Sequence, residues 1–147
     1  HKGSLLEGGI RVPCIASWPG GWPQGQVRTQ LTSAMDWVPT LAAIAGATPA
    51  QPLDGLGLHG VLRDDAPGPH PSLCWAWLDD WAVRAGDWKL HGLGREPTAL
   101  YQLSTDPGES VNHLDTEIAV GGQLVDVRNA WAHRLRSDPT VIREYGL

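Results

Sequence analysis

Few side chains in this 147-residue chain are placed to do chemistry, and the most suggestive is Lys2. It sits between His1 and Gly3, ahead of Glu7-Gly8-Gly9 and an apolar run that ends at Pro19-Gly20. A lysine beside a glycine, just before a buried strand, can offer a point charge to an anion. The competing reading is the ordinary one, a solvated surface lysine. Asp64-Asp65 and Asp79-Asp80 are paired acids in loops. Calcium takes about six to eight oxygens, which neither pair supplies alone, so both read as solvated turns. Gly55-Leu56-Gly57-Leu58-His59-Gly60 matches the dinucleotide pattern G-x-G-x-x-G. No strand leads into it, and Pro67, Pro69 and Pro71 exclude a full helix behind it, so no nucleotide site is expected. Cys14 and Cys74 lie in apolar stretches and read as buried free thiols, with a disulfide as the alternative.

Composition bounds the rest. The net charge is -5, with eleven basic residues scattered among sixteen acidic ones, which excludes a nucleic-acid binder. No apolar run is long enough to cross a bilayer. Gly 18 and Pro 12 point to many loops. Eight tryptophans with no phenylalanine leave two readings, packing within a sheet or a platform for sugars, and the alternation around Trp75, Trp77, Trp81 and Trp88 favours packing.

These residues need elements to hold them. Ile10 to Trp18 reads as a strand buried on both faces. Asp36 opens a helix through Val38, Leu41, Ala42 and Ala45, with Pro39 in its first turn and Gly46 as its stop. That helix should pack on a sheet. Ala47 to Pro71 reads as a long connection. Leu73 to Leu78 is a strand, and Trp81–Arg84 and Trp88–His91 form a hairpin around Ala85-Gly86-Asp87, Trp81 and Val83 facing Trp88 and Leu90. Thr98 to Leu103 adds a further strand, closed by the turn Asp106-Pro107-Gly108-Glu109. Leu124, Val127, Trp131 and Leu135 recur at helical spacing; Gly121-Gly122 puts the start of that helix near Gln123. Its stripe would cover the small antiparallel sheet.

Several segments then resemble a known family. Lys2-Gly3-Ser4-Leu5-Leu6-Glu7-Gly8-Gly9-Ile10-Arg11-Val12-Pro13, followed by Trp18-Pro19-Gly20, resembles the K-G-x-x-x-E-G-G-x-R-x-P segment of type I sulfatases. Asp36-Trp37-Val38-Pro39-Thr40 resembles their D-x-x-P-T helix, and Leu53-Asp54-Gly55 their D-G turn. Arg84-Ala85-Gly86-Asp87-Trp88-Lys89 resembles R-x-G-x-W/Y-K. Leu100 to Leu103, Asp106-Pro107-Gly108-Glu109 and Asn112 resemble L-Y-D-L…D-P-x-E-x-x-N. The four motifs occur in the family's order along the whole chain.

The resemblance implies an α/β fold of the alkaline-phosphatase-like kind and a sulfate ester hydrolase. It implies that this chain is the C-terminal portion: residues 1–70 the end of the large α/β domain, and 71–147 a small antiparallel subdomain with its helix. The family's cofactors are calcium and a formylglycine made from a C/S-x-P-x-R motif. Neither Cys14 nor Cys74 stands in that motif, and none of the family's metal ligands is present, so no cofactor is expected on these residues alone. Lys2 carries over as the sulfate-binding, catalytic lysine, and His1 as a residue at the edge of the substrate site. Glu7 and Arg11 are expected to pair structurally. Implied partners are a sulfated small molecule or glycan and the missing N-terminal part of the same protein, without nucleic acid or membrane. The family implies a periplasmic, secreted or lysosomal location. Alone, the chain is expected to be inactive and to aggregate, dimerise or be partly disordered at its N-terminal end. The rival readings are a non-catalytic, tryptophan-rich carbohydrate-binding module and a related phosphatase or phosphonate hydrolase.

Overall fold

The computed structural model describes residues 3–137, so His1 and Lys2 lie outside the described residues. The chain forms two compact units. One runs through Val12 and resumes at Ser72; the other is Pro13–Pro71.

The first unit is built on a four-stranded antiparallel meander: β1 (Leu73–Trp77), β2 (Asp80–Ala85), β3 (Trp88–Leu93) and β4 (Glu96–Gln102), in that spatial order. Its hairpins turn where the backbone can go left-handed, at Leu78 (φ 56), Gly86 (φ 55) and Gly94 (φ 58). Val83 faces Leu90 as expected, but Trp81 lies opposite Gly92 and Trp88 opposite Ala85. Gly92 is what makes room for the indole: a Cβ there would stand 1.9 Å from Trp81 Cζ2. Buried Trp81 then donates its N–H to Gly94 O.

The two faces of this sheet carry different chemistry, because successive side chains alternate. Trp81, Val83, Leu90 and Leu100 form the apolar core with Leu124. The opposite face presents Arg84, Lys89, His91 and Tyr101, which register as neighbours across β2, β3 and β4. A helix covers the apolar face. It runs Ile118–Ser137, five residues longer at its start than the glycine pair suggests. Gly121 is buried, and the position its Cβ would take is only 3.4 Å from Leu114 Cδ1, so tertiary packing outweighs the low helix propensity of glycine. The α-helices among the described residues are α1 (Glu7–Ile10), α2 (Trp37–Ile44), α3 (His59–Asp64) and α4 (Ile118–Ser137). Arg128 of α4 lies over the Trp81 ring and donates to Gly94 O.

The strand expected over Ile10–Trp18 is not formed. Glu7–Ile10 is one helical turn, and residues 11–18 have no regular structure and are exposed, Ile15 to 94%. An extended segment becomes a strand only when a neighbour satisfies its backbone groups, and no described segment pairs with this one. Cys14 is therefore exposed rather than buried, while Cys74 is half-buried; both are free.

In the second unit, α2 ends at Gly46 (φ 65), where Gly46 and Ala47 donate back to Ala43 and Ala42. Its start differs from expectation. Asp36 does not cap it; Ser33 and Asp36 form a capping box around a 3₁₀ turn, Ala34–Asp36. Asp36 is fully buried and also accepts from Leu56 N and from His70 Nε2. Thr40 bridges Asp36 O and Leu58 N. Within the expected connection lies α3, whose preceding Gly55 rests directly on the Met35 carbonyl: a Cβ would stand 2.1 Å from that oxygen. The glycines of that stretch thus serve close backbone packing rather than a phosphate.

Candidate functional site

Gly3 enters the first unit with φ 86, a backbone setting that suits glycine, and Ser4 to Leu6 lead into α1. This segment lies against the polar face of the sheet. Gly3, Ser4, Asp80, His91, Thr98 and Tyr101 line a cleft of about 350 Å³. In sequence the segment follows Lys2, the residue expected to do chemistry. His1 and Lys2 themselves are outside the described residues.

What fixes the segment is a buried ionic cluster. Lys89 Nζ is fully buried and stands 2.9 Å from Glu7 Oε1 and 2.9 Å from Glu109 Oε1. Glu7 Oε2 receives Arg84 Nη1 at 3.2 Å, with Arg11 at 3.9 Å on the exposed side. Glu109 accepts the backbone N–H of Glu7. Glu109 holds a left-handed backbone (φ 55), which few glutamates adopt, at the point where its carboxylate is tied in. Two carboxylates around one ammonium are not self-compensating, and Arg84 supplies the second positive charge. The cluster joins three sequence motifs, E-G-G, R-x-G-x-W-K and D-P-x-E, through residues as much as 102 positions apart.

His91 Nε2 stands 3.4 Å from Glu109 Oε1, the same oxygen that Lys89 Nζ approaches at 2.9 Å. Burial, and then the Lys89 charge, push the imidazole below the usual histidine range, against the opposing pull of Glu109 and Asp80. Burial therefore favours the neutral imidazole. Because its folded pKa is depressed, its contribution to stability is present above the unfolded value and is lost as pH falls from about 6.5 toward the folded value. His91→Gln should remove that part of the pH dependence. Unfolding midpoints of both proteins between pH 7.5 and about 5 would check it, and parallel curves would contradict it.

Burial and the Glu109 charge raise the Tyr101 hydroxyl, so it is a neutral hydrogen-bonding group. Asp106 is held low chiefly by the backbone N–H of Val111 and anchors the turn through Ser110. Cys74 is pushed up to about 11 by burial, which keeps it a thiol and a poor nucleophile. Among the described residues no three histidine, cysteine or acidic side chains gather as metal ligands. Asp65 is engaged by Arg28 and Gln30, and Asp64 by Arg63. These residues do not fit a calcium site. What the cleft offers is hydroxyl, imidazole and carboxylate groups beside a rigidly anchored backbone. The glutamate–lysine convergence was the feature that sequence reasoning missed. Its one visible signal was a lysine placed directly between Trp88 and Leu90.

A family model described as Sulfatase matches residues 1–47. Arylsulfatase A of Bos taurus is 36% identical, the alignment covering 78% of this chain and 28% of that protein. Steryl-sulfatase of Mus musculus is 33% identical, over 74% of this chain and 23% of that protein. Among solved structures, Ps i-CgsB superposes with a TM-score of 0.66 at 26% identity, covering 78% of this chain and 27% of that one. The chain thus spans between 23% and 28% of the length of these relatives.

Proposed function

The chain belongs to the sulfatase family, and from that premise we propose that it serves as the C-terminal part of a sulfate ester hydrolase, with Lys2 binding the sulfate group. The observation that carries this reading is the anchoring of Glu7, five residues after Lys2, between Lys89 and Arg84. A charge meant to meet a substrate must be held in place, and a buried ionic anchor close by in sequence supports that. An ammonium at that point neutralises the sulfate and stabilises charge growing on the leaving oxygen. His1 borders the substrate.

Nucleophile and metal come from elsewhere in this reading. Cys14 is followed by Ile15-Ala16-Ser17-Trp18, not by the Pro and Arg of the formylglycine motif, and the acids described above do not gather into a calcium site. The partner is therefore the N-terminal part of the same protein, without which these residues would be inactive. Residues 1–70 would complete its large α/β domain, and 71–147 would form the small subdomain. The exposed Val12, Ile15, Val38 and Leu41 are suited to such a partner. The substrate class is a sulfated small molecule or glycan; Ps i-CgsB, a structural relative, has been seen in complex with k-i-k-neocarrahexaose. A periplasmic, secreted or lysosomal setting fits the family, and among the described residues no helix is long and apolar enough to cross a membrane.

The full-length protein assayed against p-nitrophenyl sulfate and p-nitrophenyl phosphate tests the reading. Faster turnover of the sulfate is expected. Preference for the phosphate, or for a phosphonate ester, would replace it with the related phosphohydrolase activity.

A further inference from the structure

We propose that the Pro13–Pro71 unit carries a second binding site, a tryptophan-walled cleft that takes a neutral pyranose ring of a glycan. The cleft measures about 590 Å³, and its lining includes Trp18, Gly21, Trp22, His59, Arg63 and Asp64. That volume lies within the range of small-molecule sites. It goes beyond the sulfate site and does not depend on Lys2.

The aromatic wall is built rather than incidental. In the Trp18-Pro19-Gly20-Gly21-Trp22 turn, the N–H groups of Gly21 and Trp22 both donate to Trp18 O. Gly20 takes φ 81, and a Cβ on Gly21 would stand 2.1 Å from the Trp18 ring. Both glycines are thus required for the ring to fold back on its own turn. Trp18 and Trp22 meet edge to face at 5.3 Å, and Trp22 leans on Trp37 at 6.4 Å. Trp18 nevertheless stays 39% exposed. A held, half-open indole presents a flat apolar surface with little entropy left to lose, which suits the C–H face of a sugar ring.

The polar groups favour hydroxyls over an anion. Arg63 and Asp64 form an exposed pair at 3.7 Å, so the rim offers a donor and an acceptor with no net charge. A sulfate or phosphate would find the Arg63 guanidinium there shared with a carboxylate. Trp22 Nε1 is buried and has no hydrogen-bond partner among the described residues. It has no accessible surface of its own, so the hydroxyls of a bound sugar would meet the Arg63–Asp64 rim instead.

Isothermal titration of the full-length protein with the neutral hexasaccharides neoagarohexaose and cellohexaose, and separately with sodium sulfate, tests the proposal. Saturable binding of at least one hexasaccharide is expected, with no competition by sulfate. Trp18→Ala should weaken it about tenfold, and Trp18→Phe less. Because Trp18→Ala could disturb the turn, the doubly exposed variant Arg63→Ala/Asp64→Ala provides the second reading, with an expected loss of about fivefold. Turnover of a small aryl sulfate should be unchanged in all of them. Absence of saturable binding by either hexasaccharide, wild-type affinity in both Trp18→Ala and the double variant, or displacement by sulfate would each overturn the proposal.

Discussion

Lys89→Met should destabilise the fold by about 3–5 kcal/mol, the cost of stranding buried charge when one partner is removed. Lys89 is fully buried, and its ammonium is the group that stands between Glu7 and Glu109. Without it the two carboxylates face each other across the backbone N–H of Glu7, with Arg84 left to serve Glu7 alone. Methionine fills similar space, so the loss would report charge rather than a cavity. Adding Glu109→Gln to Lys89→Met should recover part of the stability, since it removes the stranded charge. Denaturant unfolding of the three proteins checks both statements. A loss below about 1 kcal/mol in Lys89→Met would mean that the cluster behaves like a surface pair.

The second large effect concerns rate. Lys2→Ala in the full-length protein should lower kcat/KM for a sulfate ester about 10²- to 10³-fold, the range for losing one group that stabilises transition-state charge. The division between the constants is informative. An ammonium that only holds the ground-state sulfate would raise KM and leave kcat alone, whereas one that meets the leaving oxygen lowers kcat. A fall in kcat is expected. Lys2→Arg should restore only part of it, because a planar guanidinium does not reproduce a compact ammonium. A loss under about threefold in Lys2→Ala would show the lysine to be outside the reacting centre.

The small sheet was legible because its signals are local. Alternation through Trp81, Val83 and Leu90, with glycine at the turn, needs only neighbours within one hairpin. Helix α2 was legible in extent for the same reason, through Gly46, although Asp36 turned out to serve Leu56 and His70 as well as the capping box. The expected strand over Ile10–Trp18 failed because a strand is a property of a pair. Its apolar residues are there, but no described segment offers the ladder. Helix α4 begins before Gln123 because Leu114 rewards a glycine at position 121. The ionic cluster was least legible of all. Glu7 and Lys89 are 82 positions apart, and nothing in either segment announces the other. The family resemblance placed their motifs in order along the chain without revealing that these motifs meet.

The most direct test is amine labelling of this chain's two lysines in the full-length protein, followed residue by residue with mass spectrometry. Lys89, fully buried, should resist labelling while the fold is intact and so serves as the internal standard. Lys2 should label freely in the absence of substrate and be protected by a saturating sulfate ester. Unchanged labelling of Lys2 while the ester is being turned over would contradict the assignment of the sulfate-binding charge to this residue.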